Sequence, residues 1–472
     1  MTQDKKIVFV SGNFYALHPG HVRLLRFAAE CGDELVVGVS NFSPGAGFPP
    51  PAERAEALRE LGFVHRVVLL EDGLETFLKQ LRPDVVVKGK EFETRENPEA
   101  AIVNAYGGKI LFSSGESTYS GRELLARDAE TPNLRLPAAY AQRHACQTGD
   151  LKKLIARFGQ LKVVVVGDFI MDEYIECTAL GMSREDPTVV VSPESNDRFI
   201  GGAGIVAAHA RAMGANVNFI SVVGPDEAGQ YAREKLTNLG VQTGFVEDDS
   251  RPTTLKQRFR AGGKTLLRVS HLRQHEVQMT LAADLLAKAE EALKGAHLLI
   301  FSDFSYGALP QGLVDELSAA AKRGNVLIAA DSQSSSQMGD IARFKNASLL
   351  TPTEYEARLA LRDQTGGLAQ VGHRLLEDTD SKVAFITLGA EGILVVTHLP
   401  GSDETDRLPA FNLNPRDVAG AGDSMLVAGA MTLAAGGTPW QAGFMGSIAA
   451  GIQISRVGNK PIQTAELLSV LP

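Results

Sequence analysis

Asp417-Val-Ala-Gly-Ala-Gly-Asp-Ser424 is followed by MLVAGAMTLAAGG, a run of small apolar residues typical of a buried helix. Gly420, Ala421 and Gly422 can turn the chain so that successive N–H groups converge at the helix start, which makes a nest for an anion. Asp423 lies beside this nest, where a carboxylate can take a proton from an attacking hydroxyl. The same letters would also fit a helix-packing turn with a capping Asp. The order of turn, acid and helix favours a phosphoryl-transfer site.

The chain before this segment alternates strand-like apolar runs with amphipathic helical ones, a pattern typical of an α/β domain with a mostly parallel sheet. Two stretches interrupt it: Thr188–Phe199, and the pair Thr254–Arg260 and Thr265–Ser270, joined by a Gly-Gly turn that favours a hairpin. Because each leaves one apolar face uncovered, we predict a small β lid that covers the sugar and pairs two subunits. Core strands are predicted at Val163–Val166, Asn218–Val222, Leu298–Phe301, Val326–Ala330 and Ala384–Thr387.

Four further segments precede the 417–424 motif: GDFIMD at 167–172, GGA at 201–203, TEYE at 353–356 and TLGAEG at 387–392. In this order they resemble the ribokinase (PfkB) family of sugar kinases over about residues 161–465. The resemblance implies that MgATP phosphorylates a sugar hydroxyl, with Asp423 as general base. The implied site consists of Asp172, Gly201 and Gly202 for the sugar; Thr353, Thr387, Gly389, Gly392, Gly420, Ala421 and Gly422 for ATP; and Glu356 for Mg²⁺ and phosphates.

Three positions depart from that family pattern. Ile205 stands where a sugar-contacting Asn is usual, and Thr353 replaces the Asn of the NxxE motif. The run that begins at Asp331, DSQSS, lacks the Lys of a common DPK pattern. Because Ile205 can neither donate nor accept a hydrogen bond, we expect a substrate with no hydroxyl at that position.

A second candidate site lies in VSGNFYALHPGHVRLL, at residues 10–25. A strand ends at Ser11 and a helix begins near Pro19, so His18 and His21 would lie at a helix N-terminus, which favours an anion. Two imidazoles there could stabilise a triphosphate as pyrophosphate leaves. The alternative is that HxGH is a chance tetrapeptide of surface residues. The position of the motif after the first strand favours nucleotidyl transfer.

From Lys6 to about Leu125 the chain resembles the HxGH nucleotidyltransferases, and within them the transferase half of the bifunctional heptose-phosphate kinase/adenylyltransferase family. There the kinase comes first, whereas here the transferase does. Tyr15 replaces a usual acid, the loop Asn41–Pro50 lacks lysines, and Tyr119 ends a run that is usually Ser-Thr-Thr. By this likeness the nucleotide, ATP or CTP, would contact Gly12, Asn13, Phe14, Lys88, Ser117 and Thr118.

The resulting domain assignment is a Rossmann-like parallel-sheet domain at 1–126, a connector at 127–150, and a ribokinase-like α/β domain with the β lid at 151–472. The net charge of −9 argues against a nucleic-acid or anionic-membrane partner. Three widely spaced cysteines and the absence of an apolar leader or membrane span indicate a cytoplasmic protein without disulfides or structural zinc.

We therefore expect a bifunctional enzyme that phosphorylates O1 of a phosphorylated, heptose-like sugar and then couples a nucleoside monophosphate to the new phosphate. An alternative is that only the kinase works and the N-terminal domain is a degenerate nucleotide-binding or assembly module. A third is that the two domains act on unrelated substrates. The sequence leaves open which sugar is used, the choice between ATP and CTP, and the oligomeric state.

Overall fold

The computed structural model describes residues 5–15, 17, 19–42, 48–89, 92, 97–113, 134–262, 264–333, 339–399, 402–412 and 414–471. The chain divides into two compact units, Met1–Thr131 and Pro132–Pro472. Among the helices of the described residues, none has both the length and the apolar character needed to cross a bilayer.

The first unit is built on a five-stranded sheet in which every neighbouring pair of strands is parallel. Apolar residues of the central strands face helices on both sides, so their valines are buried on both faces. The sequence pattern predicts strands at Ile7–Ser11, Glu34–Val39, Arg66–Leu69, Val85–Lys88 and Lys109–Phe112, and each is confirmed and is one residue longer than expected. The strands are β1 Ile7–Gly12, β2 Glu34–Ser40, β3 Arg66–Leu70, β4 Val85–Gly89 and β5 Lys109–Ser113, and the helices α1 Pro19–Glu30, α2 Pro51–Arg59, α3 Leu74–Leu81 and α4 Glu99–Ala105. The sheet order is β3-β2-β1-β4-β5.

The second unit contains a nine-stranded sheet whose first seven strands are parallel and whose last two form an antiparallel hairpin. Along the chain its strands are β6 Lys162–Gly167, β9 Asn216–Ile220, β11 Gln242–Thr243, β15 Leu298–Asp303, β16 Leu327–Ser332, β17 Leu349–Leu350, β18 Val383–Thr387, β19 Ile393–Leu399 and β20 Ser402–Leu408. The order across the sheet is β11-β9-β6-β15-β16-β17-β18-β19-β20. A separate parallel pair consists of β10 Val222–Val223 and β12 Val246–Glu247.

Helices cover both faces of this sheet and enclose two large apolar clusters. They are α5 Ala138–Arg143, α6 Thr148–Arg157, α7 Ala203–Ala212, α8 Glu227–Asn238, α9 Met279–Leu293, α10 Gln311–Arg323, α11 Glu354–Leu361, α12 Leu368–Thr379, α13 Ala421–Ala434, α14 Pro439–Gln453 and α15 Thr464–Ser469. A Cβ added at Gly446 of α14 would lie 3.0 Å from Met425 Cγ on α13. The small residues of these two helices thus allow close packing, which fixes the start of α13.

A second, four-stranded sheet forms the lid. Its strands are β7 Phe169–Met182, β8 Val189–Gly202, β13 Leu255–Ala261 and β14 Lys264–His271, in the order β14-β13-β7-β8. The predicted hairpin is confirmed as the antiparallel pair β13–β14. The sequence interpretation did not foresee that β7 runs for 14 residues, from the core sheet out into the lid.

The described part of the predicted connector belongs to the second unit. Residues 134–137 have no regular secondary structure, α5 follows, and α6 begins at Thr148. Leu134 and Leu136 pack against the larger apolar cluster of that unit. This segment is therefore joined to the core of the second unit by apolar contacts.

Candidate active sites

A cavity of about 1290 Å³ in the second unit is lined by the lid, by the loops that follow strands β16 to β18, and by the first turn of α13. Ligands of open α/β sheets bind at the carboxyl ends of the strands, which is where these loops lie. Gly201 lies next to the cavity, against the carboxylate of Asp172. The cavity brings together Asp172, Gly202, Thr353, Glu356, Thr387, Gly389, Gly392, Gly420, Ala421, Gly422 and Asp423, all predicted from sequence.

The start of α13 has the geometry of an anion nest. Gly420 is the N-cap residue and has φ +76°, in the left-handed region that favours glycine. A Cβ there would also collide with the side chain of Asn459, so both the backbone conformation and the lack of space require glycine. No atom lies within 4 Å of the Cβ position of Gly422, which therefore faces open space. The N–H groups of this first turn have no partners within the helix and can receive a phosphoryl group.

Asp423 combines burial with access to the cavity. Its side chain is only 5% exposed, and Gln333 Nε2 lies 3.5 Å from its Oδ1. Burial, reinforced by the charge of Asp172 and opposed by Lys256, raises the pKa of Asp423 to about 7. A carboxylate with this pKa can accept a proton near neutral pH, which is what a general base requires.

Two further carboxylates lie near Asp423. Burial, together with the charges of Glu356 and Asp423, raises the pKa of Asp331 well above its usual range. Thr351 Oγ1 donates to Asp331 Oδ1 at 3.2 Å. Because these negative charges repel one another, a cation or a proton must be shared among them.

Glu356 is held in place by a capping box at the start of α11. Thr353 Oγ1 accepts the N–H of Glu356 at 3.2 Å, and Glu356 Oε2 accepts the N–H of Thr353 at 2.8 Å. Thr is a good N-cap residue, so the replacement of the family's Asn preserves this local structure.

The end of the cavity beneath the lid contains Asp172, the residue of β7 that was predicted to bind the sugar. Its side chain is buried, and no hydrogen-bond partner of Oδ1 is found among the described residues. Arg258 Nη2 is 3.8 Å from this oxygen, beyond hydrogen-bond distance. Burial raises the pKa of Asp172, while Arg258 and Lys256 oppose the shift. Because Asp172 lines the cavity, its carboxylate can accept a hydrogen bond from a ligand hydroxyl.

Three lid cations that line the cavity were missed by sequence reasoning: Lys256, Arg258 and Arg268. Lys256 and Arg258 lie two residues apart on β13, a spacing that places them on one face of a strand. That spacing was the available signal, but it does not reveal which face of the lid meets the cavity.

Ile205 does not face the cavity. It is fully buried in α7, within the larger apolar cluster, and is absent from the cavity wall. The side chain that motivated the expectation of a substrate without a hydroxyl at this position therefore does not reach the cavity, and that expectation loses its structural basis. The helical turn that follows Gly202 directs residue 205 into the core.

In the first unit, the predicted strand–turn–helix context of the HxGH motif is confirmed. β1 ends at Gly12 and α1 begins at Pro19, with Phe14 between them at φ 48°. The rings of Phe14 and His21 meet edge to face with centroids 5.1 Å apart. His18 lies outside the described residues, as do Ser117 and Thr118.

The two described cations near this motif are already engaged. Arg54 is buried and donates to the carbonyl oxygens of Asn13 and Phe42, at 2.5 and 3.0 Å. Its guanidinium also lies 4.9 Å from the centroid of the Tyr15 ring, so this tyrosine, where an acid is usual, contacts Arg54 by a cation–π interaction.

Lys88, the predicted phosphate ligand on β4, is likewise bound within the protein. Its Nζ forms an ion pair with Glu99 and donates to Asn97 Oδ1 at 2.5 Å. The side chains of Lys88 and Glu99 are 16% and 10% exposed, so the pair is largely shielded from water. Two of the three N–H donors of Lys88 are thus used within the protein, and the charge of Glu99 competes with that of a phosphate.

Relatives of the chain are bifunctional proteins. Bifunctional protein HldE from Desulfatibacillum aliphaticivorans is 31% identical over 322 residues, which cover 67% of this chain and 64% of that protein. Its counterpart from Pseudomonas aeruginosa strain UCBPP-PA14 is 33% identical over 319 residues, or 67% of this chain and 65% of the relative. The chain thus spans slightly less than two thirds of the length of these relatives.

Solved structures share the fold of the second unit. Phosphofructokinase-2 from Escherichia coli has a TM-score of 0.55 at 16% identity, covering 66% of this chain and 98% of that one. Ribokinase from Thermotoga maritima has a TM-score of 0.52 at 21% identity, covering 66% and 99%.

Family profiles match both units. That of cytidylyltransferase-like domains matches residues 9–110, within the parallel sheet of the first unit. That of the pfkB family carbohydrate kinases matches residues 160–465, well over half of the chain, and includes every cavity residue predicted from sequence. The chain therefore belongs to the pfkB family of carbohydrate kinases.

Proposed function

We propose that the chain is a bifunctional enzyme that activates a phosphorylated, heptose-like sugar. The second unit would transfer the γ-phosphoryl group of ATP to the O1 hydroxyl of the sugar. The first unit would then join a nucleoside monophosphate to the new phosphate and release pyrophosphate. The observation that carries the proposal is a buried base, Asp423, beside an anion nest in a cavity lined by carboxylates and lid cations.

In the kinase reaction, Asp423 accepts the proton of the attacking hydroxyl. The hydroxyl oxygen forms a bond to the γ-phosphorus, the bond to the β,γ-bridging oxygen breaks, and ADP leaves with that oxygen. The N–H groups of Gly420 to Gly422 would stabilise the charge that spreads over the transferring group. Asp172 would accept hydrogen bonds from sugar hydroxyls and so orient the nucleophile.

The lid cations support a substrate that itself carries a phosphate. Lys256, Arg258 and Arg268 line the cavity, and the charges of all three oppose the raised pKa of Asp172. Lys256 also opposes the raised pKa of Asp423. Three cations near Asp172 could together bind an anionic group of the sugar. Arg and Lys side chains are the usual ligands of phosphate.

The residues present fit a magnesium ion brought in with the nucleotide. Among the described residues, no three acidic, His or Cys side chains form a cage by themselves. Mg²⁺ in kinases is held by one or two carboxylates plus the phosphates, so a complete protein cage is not expected. Glu356, with Asp331 close by, would hold the ion, which would neutralise phosphate charge.

For the transferase, His18 and His21 at the start of α1 would stabilise the triphosphate while a phosphate oxygen of the sugar 1-phosphate attacks the α-phosphorus. The second candidate, a non-catalytic N-terminal module, is favoured by the engagement of Arg54 and Lys88 within the protein. Both reactions consume nucleoside triphosphates, which places the proposed enzyme in the cytoplasm.

The test is a screen of sugar phosphates, heptose 7-phosphate included, for ADP formation from MgATP. Each product is then incubated with ATP or CTP, and pyrophosphate is measured. ADP formation followed by pyrophosphate release supports both activities. ADP formation without pyrophosphate from either nucleotide supports the kinase with a non-catalytic module, and no ADP from any phosphorylated sugar contradicts the proposal.

We further propose that the lid pairs two copies of the chain. The lid exposes Leu180 and Met182 at the end of β7, Val189 at the start of β8, and Leu266 and Leu267 on β14, with Leu180 64% and Leu267 56% exposed. Leu255, by contrast, packs against the core. Light scattering should show a dimer that dissociates when Leu180 and Leu267 are both changed to Ser. Leu468→Ser on α15 is the control, and a double variant that stays dimeric contradicts this arrangement.

A further inference from the structure

The segment 134–147, here called the brace, lies in the second unit but precedes residues 160–465, the part matched by the kinase family profile. It is thus an addition to the family's common core. Its contacts are with loops and helices that form one end of the cavity.

The first contact is made by Leu134. The three atoms nearest to the Cβ position of Gly451 on α14 all belong to the Leu134 side chain, at 2.9 to 3.7 Å. Gly451 lines the cavity, so Leu134 supports the wall from behind. A larger residue at 451 would have to displace this leucine.

The brace is also bonded to the neighbouring loop. The N–H of Arg135 donates to the carbonyl oxygen of Phe411 at 2.8 Å. Asn412 Nδ2 donates in turn to the carbonyl oxygen of Gly451 at 3.0 Å. Phe411 and Asn412 both line the cavity, so Leu134 and Arg135 fix two adjoining parts of one wall.

The far end of the brace is fixed to β20. Arg143 Nη2 and His144 Nε2 each lie 2.7 Å from Asp406 Oδ2. These bonds outweigh the effect of burial and lower the pKa of Asp406. Asp406 Oδ1 accepts the N–H of Arg407, which lines the cavity and pairs with Glu391.

Glu391 belongs to the 389–392 turn, the predicted adenine-nucleotide loop, so the contacts of Arg143 and His144 lead to that loop, while those of Leu134 and Arg135 lead to the adjoining cavity wall. We propose that the brace is a positioning element of the kinase, which sets the affinity for ATP by holding the wall formed by Phe411, Asn412 and Gly451. This inference rests on the proposed kinase function. None of its residues touches the reacting atoms, so its effect must appear in nucleotide binding and not in the chemical step.

The test is steady-state kinetics of full-length Leu134→Ala with MgATP and the best sugar phosphate. We expect the KM for ATP to rise roughly three- to tenfold while kcat and the KM for the sugar stay within about twofold, because the loss is confined to ground-state positioning. The separate variant Leu134→Met, which keeps a side chain of similar volume, should have a KM for ATP close to that of the wild type. Leu136→Ala, two residues further along the same brace and also packed against the core, is the matched control.

Three outcomes overturn the inference: an unchanged KM for ATP in Leu134→Ala, an equal rise in Leu136→Ala, or a fall in kcat without a change in KM. If Leu134→Ala does not fold, Asp406→Asn replaces it, with the same split between KM and kcat expected. A wild-type chain that forms no ADP would instead refute the proposed function, so the two failures are distinguishable.

Discussion

The two candidate sites differ in what surrounds their charged groups. In the kinase cavity, burial raises the pKa of Asp172, Asp331 and Asp423, and no hydrogen-bond partner of Asp172 Oδ1 is found among the described residues. Near the HxGH motif, Arg54 and Lys88 are bound to acceptors of their own chain. The carboxylates of the first site are thus held at raised pKa values, whereas the cations of the second are partly neutralised by internal acceptors. A preorganised polar site has less to rearrange when its substrate binds.

The largest expected effect concerns Asp423, the proposed general base of the kinase. Asp423→Asn keeps the shape of the side chain but cannot accept a proton, so we expect kcat for ADP formation to fall about 10²- to 10⁴-fold. Pyrophosphate release from a supplied sugar 1-phosphate should be unaffected, since that reaction uses the first unit. Near-wild-type ADP formation would refute the assignment, and an equal loss of both activities would indicate misfolding.

The pH dependence of the same carboxylate should be visible in the wild type. With a pKa of about 7, Asp423 is protonated at lower pH, so kcat should fall about tenfold per unit below that value. A kcat that stays constant down to pH 5.5 would contradict this.

The contribution of Asp423 to the free energy of unfolding should change with pH in the opposite sense to kcat. The folded state holds the Asp423 proton more tightly than the unfolded chain, whose value is 3.8, so the contribution of this group is greatest below pH 4 and is lost as the pH rises to about 7. The Tm of Asp423→Asn, relative to that of the wild type, should therefore rise as the pH increases from 4 to about 7. Thermal melts of both proteins across this range check the prediction.

The lid cations should give the next largest effect. Lys256→Met should raise the KM for the phosphorylated sugar about ten- to a hundredfold, because a hydrogen bond to a charged group contributes about 1.5–3 kcal/mol. The unphosphorylated sugar should show no such penalty. Lys264→Met, an exposed lysine of the same lid, is the control. Equal penalties for both sugars would mean that Lys256 does not contact the phosphate.

The smallest expected effect concerns Glu99, the internal partner of Lys88. Glu99→Gln removes the competing charge, so the KM for the nucleotide in pyrophosphate release should fall roughly three- to tenfold, as expected for a partly shielded ion pair. Glu75→Gln, an exposed first-turn glutamate on α3, should have no effect. A raised KM would show that Glu99 orients Lys88 for the phosphate instead of competing with it.

Local patterns predicted more than the positions of the strands. The residues of the turn before α13 are neighbours in the sequence. The left-handed conformation of Gly420 and the position of Asp423 in the first helical turn could therefore be predicted from this short segment. The capping box that holds Glu356 is equally local, which is why Thr353 could replace Asn there. The one local inference that failed was Ile205, because a helix that begins one residue earlier or later turns a side chain by about 100°.

Sequence patterns were sufficient to predict the two α/β units, and they placed the strands of the first unit to within one residue. They also identified the residues at the start of α13 that form the anion nest. These features depend on hydrophobic period and backbone conformation, which act over a few residues. The tertiary structure was needed to show that Lys256 lies near Asp172, although the two are 84 residues apart in the chain. It was also needed to show that Glu99 pairs with Lys88 and that Leu134 packs against Gly451. Partnerships and burial arise between segments that are distant in the chain, and burial is also what raises the pKa of Asp423.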